Sequence, residues 1–367
     1  MVTYLDCIER IGKVSDKIID NFDVTFKQLE EKIADKKFNQ IVFIGSGSSY
    51  NVICTAKGFI EKVTKKQVIA YLPNDFLNNT FVYNKDALYI FISQTGTSTL
   101  TLKAVDVVKQ LGCFTIGITS FNDTPLAEKT DVFVDQGVGK EEYPMVTIGF
   151  SSCLLTTMLL GLKLGKLFGS LTDEEFDNYI ADARKLPTNY QSIIDKTNAW
   201  FDKNKEKLLK SKVFTFYSDN NLYGIAREAA LKLMEVSKIT LSTGWEIDEG
   251  MHGPTMGYQS DNCVIVLNDG GVNAGKCYDL ENWSKHELHN GFMIGVNPID
   301  DTDLEFTPVC GDFQALEFTG AIQVLADRLA EDMGVVISDL SRHKENQYFN
   351  THNDDLTTKF MESLNQN

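Results

Sequence analysis

The sequence lacks an excess of positive charge: 35 Lys and Arg stand against 51 Asp and Glu, a formal net charge of −16. A field of that sign repels a phosphodiester backbone or an anionic membrane surface, and no basic helix-turn-helix segment is present, so nucleic acid is not expected as a partner. CxxC pairs are also missing. The seven cysteines (Cys7, Cys54, Cys113, Cys153, Cys263, Cys277, Cys310) are odd in number and mostly set among apolar neighbours, as reduced core residues are. Cys54 and Cys153 read as helix packing rather than as catalytic thiols. No apolar stretch reaches the roughly 18 to 20 residues of a membrane span, and "MVTYLDCIERIGK" lacks the basic, apolar and small-residue regions of a signal peptide. The expectation is a soluble, cytoplasmic protein with no membrane partner.

What is present is enough apolar material for two cores, with 43% hydrophobic residues in 367. Short apolar runs alternate with helical patterns: "QIVFIG" (40–45), "QVIAYL" (67–72), "ALYIFI" (87–92), "CFTIGIT" (113–119) and "DVFVDQG" (131–137), then a strongly apolar helix from about 149 to 168. The pattern restarts with "KVFTFYS" (212–218), the helix-like "NLYGIAREAALKLMEVSK", "NCVIVLND" (262–269) and "GFMIGVNP", before a long helix around "QALEFTGAIQVLADRLAEDMG". Continuous apolar strands between amphipathic helices predict an α/β fold built on parallel sheets covered on both faces. Both halves open with strand, Ser-containing turn, helix, a weak internal repeat. The predicted domains are 1–190 and 200–345, followed by a tail, 346–367.

In an open parallel sheet, ligands sit beyond the carboxyl ends of the strands, where following helices present unpaired N–H groups and a positive dipole end. Two such turns carry small polar residues. "GSGSSYN" (45–51) contains Ser48 and Ser49, and "SQTGTST" (93–99) puts five hydroxyls into seven positions, including Ser93, Thr95 and Ser98 beside Gln94. A phosphate monoester suits such a clasp, and neutral donors can hold it within an acidic protein. Helix capping by Ser98 explains one hydroxyl, not five. A dinucleotide site is the other alternative, but "GSGSSY" has Tyr50 where GxGxxG needs its third glycine, and the P-loop lysine is missing.

"REAALKLMEVSK" (227–238) puts Glu228, Lys232 and Glu235 on one helical stripe at steps of four and three. Periodicity alone fits a solvated charged face. The loop that follows, "TGWEIDEGMHGP" (243–254), adds His252 and carboxylates, the parts for moving a proton beside a carbonyl. Glu246, Asp248 and His252 have no recognised metal-ligand spacing, and neither a metal nor a cofactor is expected. His286 and His289 read as structural cations in a last helical turn.

Taken together, "GSGSSYN", "SQTGTST", "EYPMVT" and "REAALKLMEVSK…GWEIDEGMHGP" resemble, in order and spacing, the sugar isomerase (SIS) double-domain proteins. Within that family the pattern is similar to the isomerase half of glutamine–fructose-6-phosphate aminotransferase and to fructosamine 6-phosphate deglycases. The resemblance implies two flavodoxin-like SIS domains, each a parallel sheet sandwiched between helices, in a homodimer with active sites at the subunit interface. It implies that Ser93, Gln94, Thr95 and Ser98 hold a sugar phosphate, with Ser48, Ser49 and Thr147 contributing. Glu235 would shuttle a proton between C1 and C2 beside Glu228 and Lys232, and His252 would help open the sugar ring. A tail lysine, Lys344 or Lys359, would complete the site. With the sequence starting at Met1-Val2-Thr3, the expectation is an enzyme without a glutaminase domain. The expected function is a phosphosugar isomerase, deaminase or deglycase; the alternative is a non-catalytic sugar-phosphate-binding regulator.

Overall fold

The structure is a computed structural model describing residues 2–138, 141–143, 145–239, 241–339, 348–349 and 351–352. Lys344 and Lys359 lie outside the described residues. The chain forms two compact units whose membership does not follow chain order. One holds Val14–Glu141 and Ile148–Asn178 with the described tail residues. The other holds the described residues up to Lys13, those of Glu142–Thr147, and Tyr179–Asp339. Residues 190–200, where the sequence suggests a boundary, lie inside the unbroken helix Leu186–Lys210.

In the first unit, β1 (Gln40–Gly45), β2 (Gln67–Tyr71), β3 (Ala87–Ile92), β4 (Thr115–Thr119) and β5 (Val132–Asp135) make one sheet. The order is β2-β1-β3-β4-β5, and every pairing is parallel. Every residue of β3 and β4 is buried, which accounts for their continuous rather than alternating apolar sequence. Val42, Ile44, Tyr89 and Phe91 pack with Ala104, Val105 and Val108 of the helix Thr99–Gln110.

One expectation is corrected here. The helix Ile148–Leu167, 20 residues with a mean hydropathy of 1.5 over its central window, is long and apolar enough to cross a membrane by length and composition. Lys163 and several hydroxyls interrupt its apolar run without lowering the average below that of a span. Yet 94% of that window is buried within the protein itself. A helix that is apolar on all sides is also what a domain centre requires.

The second unit repeats the arrangement. Strands β6 (Val213–Ser218), β7 (Leu241–Glu246), β8 (Asn262–Asn268), β9 (Gly291–Gly295) and β10 (Leu304–Glu305) run parallel in the order β10-β9-β8-β6-β7. Counted from β6, this is the same 2-1-3-4-5 winding as in the first unit, the flavodoxin-like order. Sequence reading missed β7 because "LSTGWE" is an edge strand with polar and glycine positions and an intermediate burial pattern. Gly244 at its centre belongs there: a Cβ would lie 2.6 Å from the Ala226 backbone of the adjoining helix Tyr223–Glu235.

Candidate functional site

The polar turns leave the first sheet side by side. Gly45 at the end of β1 pairs in register with Ile92 at the end of β3, at the point where strand order reverses. Ser48 and Ser49 open the helix Ser48–Thr64 after Gly47, with no side-chain cap. Ser93 to Ser98 lead into the helix Thr99–Gln110, and Ser98, although its N-cap, makes no capping bond either. Ser98 Oγ lies instead 3.0 Å from Ser93 Oγ, and Thr95 Oγ1 2.8 Å from Thr97 Oγ1. Capping therefore does not account for the hydroxyls. The turn thus pairs Ser93 with Ser98 and Thr95 with Thr97, with Gln94 Nε2 donating to Glu141 at 3.3 Å.

Neighbours that the sequence did not single out hold this turn. The carbonyl of Gln94 accepts from Thr119 Oγ1 and from the Ser120 N–H, each at 3.0 Å. Gly96 has a φ of +65°, and a Cβ there would overlap Thr124, so the turn depends on glycine for both conformation and space. The Thr99 N–H donates to the Thr351 carbonyl at 3.1 Å, and Ser98 forms an antiparallel bridge with His352. Thr99 Oγ1 is buried with no hydrogen-bond partner among the described residues. Thr119 and Thr124 were visible only as hydroxyls at the end of another strand.

In the second unit, the charged stripe is not a solvated face. Glu228 and Lys232 have no side-chain exposure, whereas Glu235 retains 37%. Lys232 Nζ donates to Glu235 Oε2 at 2.6 Å and lies 3.4 Å from Glu228 Oε1. Helical spacing sets these neighbours; burial on the sheet decides that the lysine lies between them. Of the two carboxylates beside this ammonium, only Glu235 reaches solvent. Thr147 is buried in this same unit, and its carbonyl accepts from Gln323 Nε2 at 3.2 Å.

After β7 the chain forms a short helix, Ile247–Met251, whose N-cap Glu246 accepts from the N–H groups of Asp248 and Glu249 at 2.9 Å. Lys276 Nζ bonds Asp248 Oδ1 at 2.6 Å, and this ammonium holds the Asp248 carboxyl below its usual range. The carboxylates once weighed as metal ligands are thus engaged with backbone and lysine. His252 ends the helix, 75% exposed, with Nδ1 2.8 Å from the Asp248 carbonyl. A carbonyl can only accept, so Nδ1 carries a proton, and in the neutral ring Nε2 is left as the acceptor nitrogen.

The same turns in the second unit are chemically different. Asp219 after β6 accepts from Asn273 Nδ2 at 2.7 Å and from Asn220 Nδ2 at 2.8 Å, and burial pushes its carboxyl upward. After β8, Asn268 Oδ1 accepts the Gly270 N–H at 3.0 Å and Asp269 accepts from Gln314 at 2.8 Å.

Residues 32–163, which span the first sheet and its hydroxyl turns, match the SIS domain family. The chain is 29% identical over 325 residues to glutamine–fructose-6-phosphate aminotransferase [isomerizing] of Chlamydia pneumoniae, across 84% of its own length and 52% of the relative's. To the enzyme of the same name from Clostridium tetani it is 26% identical over 258 residues, 70% of this chain and 41% of that one. The chain thus spans about half or less of the curated relatives it matches. The C-terminal domain of glucosamine-fructose-6-phosphate aminotransferase from Francisella tularensis superposes with a TM-score of 0.79 at 22% identity, over 92% of this chain and 97% of that one. At that identity the likeness is one of fold, and it takes in both sheets.

Proposed function

We propose that this protein is an enzyme acting on a phosphorylated sugar, by isomerisation, deamination or deglycation of an amino-sugar 6-phosphate or fructosamine 6-phosphate. The observation that carries this reading is the buried Lys232 between buried Glu228 and solvent-reaching Glu235. A solvent-reaching carboxylate anchored by a buried lysine is a base with a fixed position. In this reading the Glu235 carboxylate takes a proton from one carbon of the C1–C2 pair, leaving an enediol-type intermediate. It then returns the proton to the neighbouring carbon, so that no electrons are gained or lost. His252, with Nε2 as its acceptor nitrogen in the neutral ring, serves ring opening. The hydroxyls of Ser93, Thr95 and Ser98, with Ser48, Ser49 and the helix amino ends, hold the phosphoryl group without a cationic side chain. The relatives' names, which join amino transfer from glutamine to isomerisation, support the sugar-phosphate class. The homodimer and a cytoplasmic location belong to the same proposal.

The test is incubation with a panel of hexosamine and fructosamine 6-phosphates, following products by mass. Glu235→Gln is expected to bind the sugar phosphate as the wild type does while losing about 10² to 10⁴ in turnover. Unchanged turnover in that variant removes Glu235 from its role. Saturable binding without any turnover by the wild type identifies a sugar-phosphate-binding regulatory protein instead.

A further inference from the structure

The first unit has a second polar concavity, at the opposite end of its sheet from the hydroxyl turn. A cavity of about 870 Å³ is lined by Lys36, Lys37, Phe38, Lys66 and Phe168, with Asp35 and Asp86 at its margin. Its residues immediately precede strands: Asn39 comes before β1, Lys66 before β2 and Asp86 before β3. The hydroxyl turn follows the last residue of β3. Six residues of extended strand separate the two ends, about 20 Å at roughly 3.3 Å per residue.

Two features distinguish this cavity from ordinary acidic surface. Several lysines around the first sheet are neutralised: Lys109 by Asp131, Lys129 by Asp106, Lys163 by Glu30 and Lys166 by Asp173. Among the described residues, Lys36, Lys37 and Lys66 have no carboxylate at ion-pair distance. Lys36 Nζ stands instead 5.0 Å over the Phe114 ring, and Lys66 Nζ 5.9 Å over Phe168. The second feature is the aromatic floor. Phe38, only 9% exposed, lies 6.0 Å from Phe114 and 6.2 Å from Phe168, so one ring bridges the two lysine-capped ones.

We propose that this cavity binds a nucleotide, with its phosphates on the ammonium groups of Lys36, Lys37 and Lys66 and its base against the phenylalanine rings. Three lysines against two aspartates leave the cavity locally cationic in a chain of net charge −16. An anion therefore finds its favourable field here rather than on the surrounding surface. Bare phosphate would engage the ammonium groups alone, while a flat base can also pack on Phe168 in the cavity lining and displace water. The volume lies within the range of about 300 to 1,000 Å³ typical of small-molecule sites. Its distance from the hydroxyl turn makes any effect of such a ligand on sugar chemistry regulatory, and the proposal stands independently of the reaction assigned above.

The experiment is titration calorimetry of the full chain with ATP and, separately, inorganic phosphate, in a Ser93→Ala, Ser98→Ala background that removes the hydroxyl turn as a competing phosphate site. The expected result is saturable ATP binding below about 1 mM, with phosphate at least about tenfold weaker. Lys36→Ala with Lys66→Ala should weaken ATP at least about tenfold; both side chains sit at the surface, and an unchanged melting profile checks the fold. Phe168→Leu should weaken ATP but leave phosphate unaffected. Absence of saturable ATP binding, equal affinity for ATP and phosphate, or a double lysine variant that binds ATP as the parent does would each overturn the proposal.

Discussion

The two sheets share one winding but not one chemistry at their carboxyl ends. After β1 and β3, the chain supplies serine, threonine and glycine, with Ser93 and Ser98 3.0 Å apart. After β6 and β8, it supplies Asp219, Asn268, Asp269 and Asn273, whose amides and carboxylates bond to one another or to nearby backbone. Carboxylates at that position would repel a phosphoryl group. The same topology therefore carries two different chemistries, and of the two strand ends the hydroxyl-bearing one is the better suited to an anion. The SIS family match, confined to 32–163, follows the same division. What the second unit contributes is its buried charge, Lys232 between Glu228 and Glu235.

The comparison can be broken most forcefully at Lys232. Lys232→Met leaves Glu228 desolvated without its ammonium and should cost about 3–5 kcal/mol in denaturant unfolding. Adding Glu228→Gln should recover most of that loss; if it does not, the pair is not the source. Ser93→Ala, in the uncharged cluster, should cost only about 1 kcal/mol.

The matched glycines come next. Gly96 follows β3 with φ +65°, and Gly270 follows β8 with φ +79°. A Cβ at Gly96 overlaps Thr124, whereas at Gly270 it meets one methyl of Val296 at 2.9 Å. Both alanine variants carry backbone strain of about 1–3 kcal/mol, and Gly96→Ala should melt lower because it adds the overlap. Equal melting shifts would mean that Thr124 yields freely.

A smaller effect separates the two sets of turns by function. Ser98→Ala should weaken sugar-phosphate binding by about tenfold, the equivalent of one hydrogen bond to a charged group. Asn273→Ala, in the equivalent turn region of the other unit, should leave it unchanged. Calorimetry on both variants checks this, and equal losses would erase the distinction between the crevices.

Another test addresses burial of charge in the second unit. Asp327 has its carboxyl pushed up to about 6 by burial, reinforced by Glu331 and opposed by Arg328. Its folded value lies above the unfolded one, so the folded state binds the extra proton. Stability then falls as pH rises through the window from about 4 to 6, and the penalty persists above it. Asp327→Asn should raise the melting temperature at pH 7.5 and do little at pH 4; the reverse order would contradict the burial account.

Much of the fold was legible because buried parallel strands leave uninterrupted apolar runs. The sequence expectation for β1 and β3 coincides with the observed strands, and those for β4, β5 and β6 overrun by only one to three residues. Strand β7 was hidden because an edge strand carrying Gly244 against a helix needs neither alternation nor continuous hydrophobicity. The helix Ile148–Leu167 shows the opposite ambiguity, since composition alone does not distinguish a membrane span from the centre of a domain. At the candidate site, spacing revealed the stripe of Glu228, Lys232 and Glu235 but not which of them solvent reaches. Burial is a property of what packs against a helix, and periodicity reports only the helix itself.

The local order of residues determined the strand–turn–helix units, the concentration of hydroxyls at 93–99 and the three-residue charged stripe, because each arises from interactions within a few positions of chain. Tertiary structure alone decided that both sheets wind in the same order, that Lys232 is sealed from water, and that lysines and phenylalanines from separate loops share one cavity. Those outcomes depend on contacts between residues far apart in sequence, and a linear pattern carries no record of which distant segments will meet.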